Sequence, residues 1–151
     1  MAVKLVKPIN HKKVVKITNQ DFEAKMRELR VNSDIAVAVS GGPDSLALMH
    51  LSNRYALNNN INLTVLSIDH GIRAESSKEI VWLKKIAKKN KINFYSTKLK
   101  KKINSSNTLS KARTLRYEAL SKYCNKKKIK FLLTAHHLDD EIENFLMRLI
   151  R

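Results

Sequence analysis

Apolar positions along the chain follow two alternating patterns. Phe22, Met26 and Leu29 fall at helical spacing, with Thr18 and Asp21 just ahead as helix-start residues. Asp34-Ile-Ala-Val-Ala-Val39 is then a short continuous apolar run of the length of a buried strand. A helix is predicted from Asp44 to Leu57, with Leu46, Met49, His50 and Leu51 on its inner side and the Asn58-Asn59-Asn60 run ending it. Leu63-Thr-Val-Leu-Ser-Ile68 reads as a second strand, and a helix starting at Ser76 or Ser77 carries Ile80, Leu83, Ile86 and Ala87. Asn93-Phe-Tyr-Ser-Thr97 is a weaker third strand, followed by a polar lysine loop from Lys98 to Asn107. A long helix holds Leu109, Ala112, Leu115, Arg116, Ala119, Leu120 and Tyr123. The fourth strand is Lys130-Phe-Leu-Leu-Thr-Ala135, and a last helix runs from Leu138 to Arg151.

Alternation of strand and helix predicts an α/β domain: a doubly wound, mostly parallel sheet with helices on both faces. Right-handed crossovers bring the carboxyl ends of all four strands to one edge, where such folds bind ligands. One domain is expected over residues 19–151, after a basic extension over 1–18 that carries Lys4, Lys7, Lys12, Lys13 and Lys16.

Composition narrows the class. The chain has 151 residues, 43% of them hydrophobic, which is enough to bury a core without disulfides. Three glycines and two prolines exclude collagen-like and low-complexity chains. No apolar run reaches the roughly 18 residues of a membrane span, and Met1 to Ile9 lacks the apolar core of a signal peptide. One cysteine, Cys124, excludes a disulfide framework and a multi-cysteine zinc site. A soluble, cytoplasmic protein without a membrane partner is the expectation, and a homodimer is left open. Thirty Lys+Arg stand against 13 Asp+Glu, a formal charge of +17 that favours a polyanionic partner such as nucleic acid. A competing explanation is residue usage, since 22 lysines, 13 isoleucines and 14 asparagines accompany only 8 arginines.

Chemistry concentrates where predicted strands end. All three glycines follow strands directly, Gly41 and Gly42 after the first and Gly71 after the second. In Ser40-Gly-Gly-Pro-Asp-Ser45, the glycines free turn amides to face an anion, and the next helix adds the positive end of its dipole. Pro43 suits a first helical position; Asp44 is a candidate Mg²⁺ ligand and Ser45 a candidate phosphate donor. The plain alternative is a capped turn. The segment lacks the lysine of a Walker loop, so transfer of a γ-phosphate is not implied. At the mouth of the fourth strand lies Thr134-Ala-His-His-Leu-Asp-Asp-Glu141. Asp139 and Asp140 fit a helix start, a transition-metal site with the histidines, or, most economically, a carboxylate pair helping Mg²⁺ bridge phosphate oxygens. His136 or His137 would then touch nucleotide or substrate. Arg113 and Arg116 share a face of the long helix, as do Arg148 and Arg151 on the last one, either as solvated charge or as anion holders. His70 and Arg73 follow the second strand and reach the same edge.

At these residues the sequence resembles a known family. Ser40-Gly-Gly-Pro-Asp-Ser45 looks like the pyrophosphate-binding loop of the N-type ATP pyrophosphatase (PP-loop) superfamily. Asp69-His-Gly-Ile-Arg73, Ala112-Arg-Thr-Leu-Arg-Tyr117 and His136-His-Leu-Asp-Asp140 with Arg148-Leu-Ile-Arg151 resemble its tRNA(Ile)-lysidine synthase branch. The resemblance implies an adenine nucleotide alpha hydrolase-like fold and cleavage of ATP between the α- and β-phosphates. It implies adenylation of C2 of the wobble cytidine in the CAU-anticodon isoleucine tRNA, then displacement of AMP by free lysine. By that likeness Ser40, Gly41, Gly42, Pro43, Asp44 and Ser45, with His70, Gly71 and His136, bind ATP. Asp44, Asp139 and Asp140 place Mg²⁺, and Arg113 joins them in catalysis on the cytidine and lysine side. Glu141 and Asn144 stand where the family usually has Gln and Thr. Relatives continue beyond the position of Arg151, so a catalytic domain truncated at its C-terminal end is expected. Two competing expectations remain: a non-catalytic ATP- or RNA-binding fragment, and a tRNA thiolase, whose chemistry ordinarily needs paired cysteines where this chain has Cys124 alone.

Overall fold

A computed structural model of the chain describes residues 17–69, 76–98 and 108–135. In chain order these form α1 (Asn19–Glu28), β1 (Ile35–Ala38), α2 (Pro43–Asn58), β2 (Leu63–Asp69), α3 (Ser76–Lys89), β3 (Asn93–Lys98), α4 (Thr108–Lys127) and β4 (Phe131–Thr134). The strands make one parallel sheet in the order β3-β2-β1-β4. The basic extension before Ile17 and the helix expected from Leu138 lie outside the described residues.

The two faces of the sheet follow from alternation along β1. Ile35, Val37 and Val39 join Met26, Met49, Tyr55 and Leu83 in a core built with α1, α2 and α3. Ala36, with Ala38 packed beside it, faces the other way, toward Leu66, Leu120 and Cys124 in a smaller core under α4. Winding therefore proceeds from β1 through β2 to β3 on one face and returns on the other to β4. The fold is the doubly wound α/β arrangement read from the sequence, and its strand order reverses between β1 and β4.

α1 opens with a capping box. Thr18 accepts from the Asp21 amide at 3.2 Å, and Asp21 accepts from the Thr18 amide at 2.9 Å. The Thr18 hydroxyl, donating to the Asp21 carboxylate at 2.6 Å, and then the Thr18 amide hold that carboxyl below its ordinary pKa. α1 docks on α2 through an edge-on Phe22–Tyr55 pair, and the Tyr55 hydroxyl donates to the Val31 carbonyl at 2.7 Å. Within α2 the buried residues are Ser45, Met49, Ser52, Tyr55 and Ala56. His50, expected inside, is exposed, because the 100° step from buried Met49 carries it off the sheet-facing stripe.

The four helices among the described residues end alike. Arg30, Asn60, Lys91 and Lys128 take left-handed φ values of 53–57° just after α1, α2, α3 and α4. In each turn the next amide bonds back five residues: Val31 to Met26, Ile61 to Ala56, Ile92 to Ala87 and Ile129 to Cys124. These are Schellman caps, each closed by a β-branched apolar residue. Glycine ordinarily fills the left-handed position, and a residue with a Cβ there costs about 1 kcal/mol. No glycine occupies any of the four.

Candidate functional site

The site is built where β1 runs out. Val39 still donates to the Leu66 carbonyl of β2 at 2.9 Å, so the chain stays held until Ser40. Gly41 then turns it with φ +93°, a conformation a side chain resists even though nothing lies within 4 Å of an added Cβ. Gly42 differs. It is the α2 N-cap with φ −70°, and its added Cβ would meet only the Ser40 Oγ at 3.7 Å, an ordinary contact. The bend thus requires one glycine, Gly41; no steric demand within the fold explains the second.

Pro43 takes the first position of α2, where its missing N–H costs nothing, and exposed Asp44 lies in the first turn. Ser45 is buried. Its hydroxyl donates to the Gly42 carbonyl at 2.8 Å and accepts from the Ser40 amide at 3.3 Å, with the Ser40 hydroxyl 3.4 Å away. In this structure the Ser45 proton is directed to the loop itself. The Gly41 and Gly42 amides bond to no acceptor among the described residues. They stand at the positive end of a 16-residue helix, an arrangement suited to an anion.

A cleft opens beside the loop at the β1/β4 reversal. Ser40 and Ser45 form one wall, Arg116 and Tyr117 of α4 another, and Ile68 and Thr134 the strand ends between them. Thr134 pairs in register with Ala38, so β4 ends beside the end of β1. Arg116 is half-buried, and its Nε is fully buried without a hydrogen-bond partner among the described residues. A buried guanidinium donor left unpaired is costly unless a ligand supplies the acceptor. Arg113 lies one turn earlier, its guanidinium 6.0 Å from the Tyr117 ring centroid. Sequence spacing puts both arginines on one face; only the packing of α4 shows that Arg116 lines the cleft. Apolar Ile68, Leu66 and Leu120 lie beside these donors.

His70, Gly71, His136, Asp139 and Asp140 lie outside the described residues. Asp44 is the predicted metal ligand among those described, and no group of three His, Cys, Asp or Glu there could hold a metal ion. Asp69, buried at the end of β2, is a further carboxylate at this edge. No helix among the described residues is long and apolar enough to cross a membrane. Cys124 is buried on the sheet-facing side of α4, and burial pushes its thiol pKa up, which keeps it protonated.

The PP-loop domain family matches residues 10–151. The chain belongs to that family. This PP-loop domain is 48% identical over 119 residues to the tRNA(Ile)-lysidine synthase of Rickettsia bellii (strain OSU 85-389), covering 79% of the chain and 28% of that protein. It is 41% identical over 135 residues to the tRNA(Ile)-lysidine synthase of Rickettsia typhi, covering 87% of the chain and 31% of that protein. The domain thus spans about three tenths of the length of these relatives. Among solved structures it resembles a U34-tRNA thiolase from Methanococcus maripaludis that carries a [4Fe-4S] cluster. The TM-score is 0.72 and the identity 25%, over 87% of this chain and 49% of that one.

Proposed function

We propose that this chain is the nucleotide-binding part of a tRNA(Ile)-lysidine synthase. It would use ATP to join free lysine to C2 of the wobble cytidine of the CAU-anticodon isoleucine tRNA through an adenylated cytidine. What carries the proposal is the placement of the glycine-turned loop and the unpaired Arg116 Nε in one cleft, in a chain 48% identical to a lysidine synthase.

In this scheme the Gly41 and Gly42 amides and the α2 dipole hold the phosphate tail of ATP, while Ser45 keeps the loop in shape. Arg116 supplies positive charge from the opposite wall, placed before any charge develops on the phosphate. Tyr117 and Ile68 offer apolar surface to a base. Asp44, with Asp139 or Asp140, would hold Mg²⁺, which when bound neutralises charge on the phosphate oxygens. Arg113, His70, Gly71 and His136 are proposed for the nucleotide and the cytidine–lysine side. A cytoplasmic location follows from the substrate.

The structural neighbour raises the thiolase alternative. Iron–sulfur clusters are held by cysteine thiolates. These 151 residues contain one cysteine, buried and held as a thiol, so the lysine-ligating scheme is preferred.

The deciding experiment incubates the chain with ATP, Mg²⁺, labelled lysine and the CAU isoleucine tRNA transcript. Lysine incorporation with release of AMP and pyrophosphate is expected. ATP binding without incorporation would reduce the chain to a non-catalytic nucleotide-binding fragment, and sulfur incorporation from a donor would favour the thiolase.

A further inference from the structure

Helices in this fold run back against the strands, so the four helix-to-strand turns gather at the sheet edge opposite the loop cleft. That edge is strongly basic. Lys88, Lys89 and Lys91 lie where α3 passes into β3, and Lys126, Lys127 and Lys128 where α4 passes into β4, all of them exposed. β3 and β4 are the outer strands among those described, three strand spacings or about 14 Å apart, and α3 and α4 pack on opposite faces, so the two clusters flank the edge from its two sides. Exposed Arg30 and the Asn58–Asn60 run lie between them, at the starts of β1 and β2. The acids of these turns are engaged: Glu28 is bound by Lys25 at 2.8 Å, and Asp34 accepts from the Asn62 amide at 2.9 Å.

Lysines in the last turn of a helix have an ordinary explanation, since they complement the negative end of the dipole. It covers Lys88, Lys89, Lys126 and Lys127. It reaches Arg30, Lys91 and Lys128 just beyond the helices too, but does not explain why they occupy left-handed positions that glycine fills without strain. Three of the four strained positions carry cations on long side chains, and all three face the same edge. A stabilising substitution is open at each site, and at each a positive charge is present instead.

On the basis that the protein acts on tRNA, we propose that this edge is an RNA-docking surface, separate from the nucleotide cleft, which grips the sugar–phosphate backbone of an RNA stem. Two lysine clusters bridged by Arg30 and asparagines match a chain of phosphates crossing the edge. Such contacts position RNA without reading its sequence. The loop cleft, on the other edge, stays open.

The test replaces Arg30, Lys91 and Lys128 together by glycine in the full chain, with Asn60→Gly as the control. Both variants relieve left-handed strain, so both should melt higher than the wild type. Anisotropy with the CAU tRNA transcript and with an unrelated RNA hairpin should show the triple variant binding both at least about tenfold more weakly near 0.1 M salt. Its salt dependence should be shallower by about two units of slope, with ATP affinity unchanged. Asn60→Gly should bind RNA as the wild type does. A triple variant with unaltered RNA affinity and salt slope overturns the proposal, as does a loss confined to the CAU transcript. So does capture by anionic vesicles in a protein that binds neither RNA. Failure of lysine transfer while RNA docking responds as stated would sink the catalytic assignment alone.

Discussion

The Ser45 hydroxyl donates to the carbonyl of Gly42, the N-cap of its own helix, at 2.8 Å, and the Leu46 amide reaches the same oxygen at 3.1 Å. A loop that must present amides to a ligand is thereby held from its helical side. Ser45→Ala removes that donor and leaves the Ser40 amide without its acceptor. A loss of about 1 kcal/mol is expected, a drop of a few degrees in Tm, with weaker ATP binding. Thermal melts with and without ATP measure both; an unchanged Tm would show that the hydroxyl does not hold the loop.

The two glycines should separate cleanly. Gly41→Ala places a Cβ at φ +93° and should cost at least about 1–2 kcal/mol. Gly42→Ala meets no clash and should leave stability within about 0.5 kcal/mol, the poorer cap being offset by a stiffer unfolded chain. If Gly42 lets phosphate approach the backbone, its variant folds normally yet binds ATP poorly in calorimetry. Equal effects of the two substitutions on stability would contradict the assignment.

Arg116 offers the opposite balance. In the free protein its buried Nε costs stability, so Arg116→Met should melt no lower than the wild type. ATP affinity should nonetheless fall at least about tenfold, with Arg116→Lys recovering part of it as a point charge. Undiminished nucleotide binding by the methionine variant would remove Arg116 from the site.

Alkaline pH should expose the small core under α4. Burial raises the pKa of Cys124, and burial together with Tyr95 and Cys124 raises that of Tyr123. The folded protein holds these protons more tightly than the unfolded chain does. Their stabilisation is complete below the ordinary thiol value of 9.0 and declines as pH rises past it toward the folded values. Tm should fall between about pH 9 and 11, and Cys124→Ala should soften that fall. A Tm independent of pH across that range would show that burial does not perturb the thiol.

Much of this was legible in the chain. The continuous apolar run from Ile35 to Val39 announced a buried strand, and the glycine pair after it announced the turn into α2. The asparagines ending α2 act through caps: the Asn59 side chain donates to the Tyr55 carbonyl at 2.8 Å. The inner face of α2 was harder to read, since buried Ser45 and Ser52 look polar in sequence while Leu57 is exposed. α4 carries cations around much of its circumference. Spacing alone paired Arg113 with Arg116 and could not show which of them lines the cleft. Left-handed turns at Arg30, Lys91 and Lys128 left no mark, because the glycine that normally signals them is missing.

Strand order also sets a sequence of assembly. Ile35 pairs with Phe131, so β4 closes the most distant contact in the sheet, whereas β1, β2 and β3 pair through local crossovers. Loop-closure entropy makes that step the slow one. Until β4 arrives, β1 offers an open apolar margin to any passing chain. The cleft, which needs both strands, forms only when this last piece locks in, so on the proposed function nucleotide capture would report on completed folding.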